Sequence, residues 1–149
     1  MNRRLLAVMA LAVSATAAAD TELDQLVNAN GKWIAAEVAS YRYVYQKYCV
    51  CYSGEPPAVV VTVTRGRVSD AFSRDAETGL ETPAGDGRLD LYWTIDDLFE
   101  KLSAAMAREA IVTAEYDPEL GYPTELFIDD FADFTGEETD LKLTGFEIL

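Results

Sequence analysis

Residues 41–52, Y-R-Y-V-Y-Q-K-Y-C-V-C-Y, carry the strongest extended pattern in the chain. They hold five of its eight tyrosines and both of its cysteines. Tyr and Val favour extended backbone because their side chains pack well on a pleated, half-buried surface. Successive side chains of a strand point to opposite faces. One face then carries Tyr41, Tyr43, Tyr45, Lys47, Cys49 and Cys51; the other carries Arg42, Val44, Gln46, Tyr48, Val50 and Tyr52. Tyrosines on both faces predict a central strand, or one with a helix on one side and a rim of long side chains on the other. The tyrosine ladder reads as a ligand-stacking platform, or as sheet packing with hydroxyls reaching water or a partner. Packing is the preferred reading, because aromatic ladders are an ordinary unit of sheet stabilisation.

Ahead of this strand, residues 20–40 read as a helix. Asp20 or Thr21 caps it, and Asp24 sits in the first turn. Leu23, Leu26, Val27, Ile34 and Val38 recur at helical spacing, with Trp33 beside the stripe. Gly31 either ends a short helix or weakens a longer one. After the tyrosine strand, residues 58–64 and 67–72 form a hairpin around Arg65-Gly66, where Gly supplies the positive φ the turn needs. Residues 73–88, with Gly79, Pro83, Gly85 and Gly87, read as a polar surface loop, a place where function often resides.

Thr94, with Asp97 three residues on, makes a capping box for a second helix. Its stripe of Ile95, Leu98, Phe99, Leu102, Ala105 and Met106 predicts that it lies on a sheet. Strands follow at residues 110–116, 123–129 and 141–149, with a turn at 117–122. The order is α-β-β-β-α-β-β-β. Short connections make sequential strands antiparallel. The expected class is α+β: a single largely antiparallel sheet of about six strands with two helices packed on one face.

The N-terminus changes the picture of where this fold works. Met1-Asn2-Arg3-Arg4, an apolar run over residues 5–13 and small residues up to Ala19 have the form of a secretory signal peptide, too short to span a bilayer as a helix. Cleavage is expected before Asp20, so residues 1–19 form the signal peptide and residues 20–149 a single α+β domain of 130 residues. No Cys stands at the junction to accept a lipid. The expected location is therefore periplasmic or secreted, with no stable membrane insertion after cleavage. Losing Arg3 and Arg4 moves the net charge from −14 to −16. Such a charge repels nucleic acid and anionic membrane and leaves cationic partners or divalent metals as options; solubility alone also accounts for it.

Three stretches are candidates for chemistry. The exported context favours a disulfide between Cys49 and Cys51. Strand geometry resists it, because residues two apart point in parallel, so a bend at Val50 is required. A strained small ring would be easily reduced, which makes a thiol-redox pair the alternative. Free thiols and a metal site also remain, although two Cys and no His leave a zinc shell incomplete. The stretch Tyr116-Asp117-Pro118-Glu119-Leu120-Gly121-Tyr122-Pro123 reads as a hairpin corner, or as a preorganised rim of two tyrosines and two carboxylates. Asp129, Asp130, Asp133, Glu137, Glu138 and Asp140 supply the oxygens a hard cation wants. They lack EF-hand spacing and read first as a solvated acidic loop. With no His, nucleophile elbow, phosphate loop or dinucleotide fingerprint, no catalytic, cofactor-binding or metal residue is assigned.

A set of motifs covers most of residues 33–149 in order: Tyr41-x-Tyr43 with Cys49-x-Cys51, Val61-Thr62-Val63 with Gly66-x-Val68, Thr94-Ile95-Asp96-Asp97-Leu98-Phe99, Tyr116-Asp117 with Gly121-Tyr122-Pro123, and Ile128-Asp129 with Glu138. In these the chain resembles a family of small exported bacterial proteins and lipoproteins known as a domain of unknown function. The resemblance implies an exported single domain without an established activity or cofactor. Many members are anchored through a junction Cys that this chain lacks. The expected function is a non-enzymatic binding or interaction module of the cell envelope, with a protein or small-molecule partner. The alternatives are a thiol-redox protein or enzyme using Cys49 and Cys51, and a divalent-cation binder using residues 129–140.

Overall fold

Alternation in the tyrosine strand is the feature around which the fold closes. The computed structural model describes residues 14–49, 56–75, 77–131, 136 and 138–149, the first seven of them as backbone only. Strand β1 (Tyr41–Tyr48) buries Tyr41, Tyr43 and Tyr45, while Arg42 and Lys47 are exposed and Val44 is half-buried. Among the described residues it is the central strand of a seven-stranded antiparallel sheet. The remaining strands are β2 (Val59–Thr64), β3 (Arg67–Arg74), β4 (Glu81–Pro83), β5 (Ile111–Tyr116), β6 (Pro123–Asp129) and β7 (Thr139–Ile148). They lie in the order β4-β3-β2-β1-β7-β6-β5. Residues 50–52 of the expected tyrosine strand lie outside the described residues.

Helices α1 (Ser14–Ala36) and α2 (Ile95–Ala107) share one core with Tyr41, Tyr43, Val61, Val63, Leu126, Leu141 and Leu143. They therefore cover the same face of the sheet, as the α+β reading expects. The seventh strand is β4, within the stretch expected to be a polar loop. Glu81-Thr82-Pro83 has no apolar alternation, and it joins β3 as an edge, opposite Phe72, Ser73 and Arg74. Two short 3₁₀ turns follow β4, Ala84–Gly87 within that stretch and Leu89–Leu91 just past it.

Helix α1 departs from its expected form in two ways. It is already helical at Ser14, the first described residue, so Asp20 and Thr21 are inside it rather than capping it, and Gly31 does not interrupt it. It ends at Ala36, where Glu37 turns to a φ of +51°. Its buried stripe is Leu26, Ala29 and Trp33. Leu23, Val27 and Ile34 are exposed by 48%, 64% and 65%, and Val38 lies past the helix end. Trp33 selects the buried face: its ring meets Tyr41 and Phe146 edge-on, and its Nε1 donates to Asp96 Oδ1 at 3.1 Å.

A bulge in β7 sets the opposite wall of this core. The register with β1 shifts between Arg42 and Val44, across from Gly145, whose φ is +58°. The extra residue moves Phe146 onto the face of Leu141 and Leu143. There it stacks on Tyr122 at 4.2 Å and on Tyr41 at 5.3 Å.

Candidate functional site

The Thr94 capping box forms as read. Thr94 Oγ1 accepts from the Asp97 N–H at 3.1 Å, and Asp97 Oδ2 accepts from the Thr94 N–H at 2.8 Å. Two core tyrosines reinforce it. The Tyr41 hydroxyl accepts from the Ile95 N–H at 2.7 Å, and the Tyr43 hydroxyl donates to the Trp93 carbonyl. The Ile95 N–H, which has no partner within the helix, is thereby satisfied from β1, and the residue ahead of the cap is tied to the same strand. The same bonds fix Tyr92 and Trp93, immediately upstream, against the sheet.

Tyr92 and Trp93 form one wall of a cleft of about 460 Å³. Tyr45, Val59 and Ala84 are its buried base, and Pro56, Pro57 and Leu91 its other apolar walls. Tyr45 meets Tyr92 edge-on at 5.6 Å and Trp93 at 6.1 Å. Gln46 Nε2 donates to the Pro56 carbonyl at 2.9 Å and ties that wall to β1. Gly85 is required in the facing turn: its φ is +56°, and a Cβ there would lie 2.9 Å from Leu91 Cδ1 and 3.2 Å from the Tyr92 hydroxyl.

The polar side chains of the described lining are few. They are the Tyr45 and Tyr92 phenols, the Ser73 hydroxyl and the Lys47 ammonium. Burial, with the neighbouring Tyr92 as a smaller cause, pushes the Tyr45 phenol up to about 12, so it is a neutral donor at physiological pH. Lys101 Nζ sits 4.0 Å from the centre of the Trp93 ring. The described lining contains no carboxylate, on a chain with 26 Asp and Glu. The arrangement can hold a flat or apolar body between aromatic walls and offer it phenol donors and one cation.

Of the stretches singled out in the sequence, the tyrosine ladder divides. Tyr41 and Tyr43 are core packing and anchors for α2; Tyr45 reaches the cleft. Cys49 is half-buried just beyond β1, two residues past Lys47 of the cleft wall, and Cys51 lies outside the described residues. The 116–123 stretch is a hairpin corner. Asp117 Oδ1 accepts from the N–H groups of Glu119 and Leu120 at 3.0 and 2.7 Å, and its carbonyl accepts from Gly121 N–H at 2.9 Å. Tyr122 stacks in the core and Tyr116 stacks on Phe99, so these rings are not a free rim.

The acidic stretch is spread over separate tasks. Asp129 accepts from the Phe131 N–H at 3.0 Å, and Asp130 chelates the Arg108 guanidinium at 2.6 and 3.0 Å. Glu138 Oε2 accepts from Gly136 N–H at 2.6 Å, and Asp140 lies in β7. Asp133 and Glu137 lie outside the described residues.

Tyr92, Trp93, Leu91 and Ala84 were not singled out from the sequence. The signal available was an aromatic pair directly ahead of a helix cap, in an otherwise polar stretch. Fold and site together define an α+β protein with one antiparallel sheet, two helices on one face and an aromatic cleft beside the central strand. A family model described as "Family of unknown function (DUF6174)" matches residues 25–148, and the chain belongs to that family. No curated protein and no solved structure matches the chain. No helix among the described residues is long and apolar enough to cross a membrane.

Proposed function

We propose that the protein is an exported, non-enzymatic binding module of the cell envelope, and that its ligand site is the cleft between Tyr45, Tyr92 and Trp93. One observation carries this reading: a strongly acidic chain builds a half-open aromatic cleft whose described lining holds one ammonium and no carboxylate. Surface solvation alone gives no reason to keep acids out of that place. The ligand class is a flat or apolar body bearing an anionic or oxygen-rich edge. The walls take the body, and Lys47 and the phenols take the edge.

Removal of residues 1–19, a periplasmic or secreted location and a Cys49–Cys51 bridge belong to the same proposal. They rest on the form of the leader and on the presence of only two Cys in the chain. Anilinonaphthalene sulfonate, an aromatic body with one anionic group, is the first probe. Binding at one site that is lost in both Trp93→Ala and Lys47→Glu supports the cleft. Binding that survives both substitutions contradicts it.

A further inference from the structure

We propose that the free edge of β5 accepts an added strand from an extended, positively charged peptide. This site is separate from the aromatic cleft, since β5 ends the sheet beyond β6 and β7, on the other side of β1 from β2 and β3. Among the described residues β5 pairs with β6 alone, so its outer N–H and C=O groups form a template for another strand. Its sequence, I-V-T-A-E-Y, is strand-favouring and has neither the Pro nor the Lys that commonly blunts an edge. Beside it runs a trough of about 400 Å³, with Gln25, Asn28 and Lys32 of α1 on one side and residues 114–118 on the other. A second hollow of about 330 Å³ shares Ala114 and Glu115 with the trough.

Charge selects the occupant. Glu22, Glu115, Asp117, Glu125 and Asp140 line the two hollows, against the single ammonium of Lys32. Lys32 is already engaged, donating to the Pro118 carbonyl at 2.8 Å. Glu115 and Glu125 stand directly opposite each other on β5 and β6, a like-charge pair that costs stability, and Lys142 approaches only Glu125, at 3.6 Å. Burial, and then Glu125, hold the Asp140 carboxyl above its ordinary range.

Two buried polar atoms here also lack a hydrogen-bond partner among the described residues: Glu22 Oε2 and the Tyr116 hydroxyl. Each carries a desolvation cost that no described partner offsets. A second copy of this protein is a poor occupant, because it would bring its own charge of −14 to an acidic edge.

The probe is a short peptide of alternating Lys and Val, titrated into isotope-labelled protein. The controls are its Glu–Val counterpart and a version N-methylated at alternate residues. Glu115→Lys is the test variant; the side chain is exposed and faces Glu125, so the substitution relieves repulsion and leaves the fold intact. The expected result is amide shifts over β5 and residues 25–32, with binding weakened about tenfold by Glu115→Lys or by N-methylation and absent for the Glu–Val peptide. Shifts centred elsewhere, equal binding of the N-methylated or Glu–Val peptide, or no binding of the Lys–Val peptide would overturn the proposal.

Discussion

The hydroxyl of Tyr41 accepts a hydrogen bond from the backbone N–H of Ile95 at 2.7 Å, across 54 residues of sequence. Tyr43, one step along the same strand face, donates to the carbonyl of Trp93. The central strand thus holds both the first turn of α2 and the aromatic pair that walls the cleft. Two inward tyrosines do work that valines at the same positions could not, because the bonds are made by the far end of a buried ring.

Tyr41→Phe leaves a buried helix-terminal N–H without its acceptor, and Tyr43→Phe leaves the Trp93 carbonyl without its donor. Each is expected to cost about 1 kcal/mol. Thr94→Ala, which removes half of the capping box, is expected to cost about the same. Urea unfolding of the three variants measures this; unchanged midpoints would show that the anchoring is incidental to stability.

Gly121 and Gly66 separate backbone strain from crowding. Both have positive φ, +82° and +73°, so Ala is strained at each. Only at Gly121 would a Cβ collide with neighbouring backbone, lying 2.2 Å from the Ala29 carbonyl oxygen of α1. Gly66→Ala should cost about 1 kcal/mol, and Gly121→Ala roughly 2–4 kcal/mol. Equal costs by thermal or urea unfolding would mean that α1 does not press on the 117–122 corner as the structure shows.

High pH should unfold the protein through its inward tyrosines. Burial raises Tyr45 to about 12 and holds Tyr41 and Tyr43 well above the same ordinary 10.0. A group whose pKa is raised by folding contributes stability that is complete below its unfolded pKa and is lost as pH climbs through the folded value. Stability should therefore hold up to about pH 10 and fall across the interval to about pH 12 and beyond. Phenolate absorbance should rise together with loss of near-ultraviolet dichroism. Full ionisation of all eight tyrosines near pH 10 in a still-folded protein would contradict this burial.

Much of this fold is legible in local sequence, because local signals set it. Alternation at Tyr41, Tyr43 and Tyr45, the Arg65-Gly66 turn, the Thr94–Asp97 box and the Asp117 turn each depend on residues close in the chain. Helix α1 is different. Periodicity shows that an apolar face exists, but Leu23, Val27 and Ile34 compete with Leu26, Ala29 and Trp33, and only the sheet decides between them. β4 was hidden for another reason: Glu81-Thr82-Pro83 joins the sheet through backbone pairing, which leaves no side-chain pattern. The cleft was illegible because Tyr45, Val59, Ala84 and Trp93 meet only after the strands and turns are assembled.

Intact mass after alkylation under denaturing conditions, without reductant, tests the proposed maturation. A chain beginning at Asp20 that takes up no label has lost its leader and bridged Cys49 to Cys51. A chain retaining residue 1, or one carrying two labels, would remove the leader or the bridge from the account.

The central claim is that the Tyr45–Tyr92–Trp93 cleft is a binding site, and amide-resolved fragment screening tests it most directly. Flat aromatic carboxylates, saccharides and cationic amines would be titrated separately into isotope-labelled wild-type protein and into Trp93→Ala. The account predicts that the oxygen-bearing and anionic sets shift amides at Tyr45, Lys47, residues 84–85 and residues 91–93, with cationic amines absent from the cleft and all cleft shifts lost in Trp93→Ala. Fragments that scatter over the surface, or that shift the same amides equally in Trp93→Ala, would contradict it.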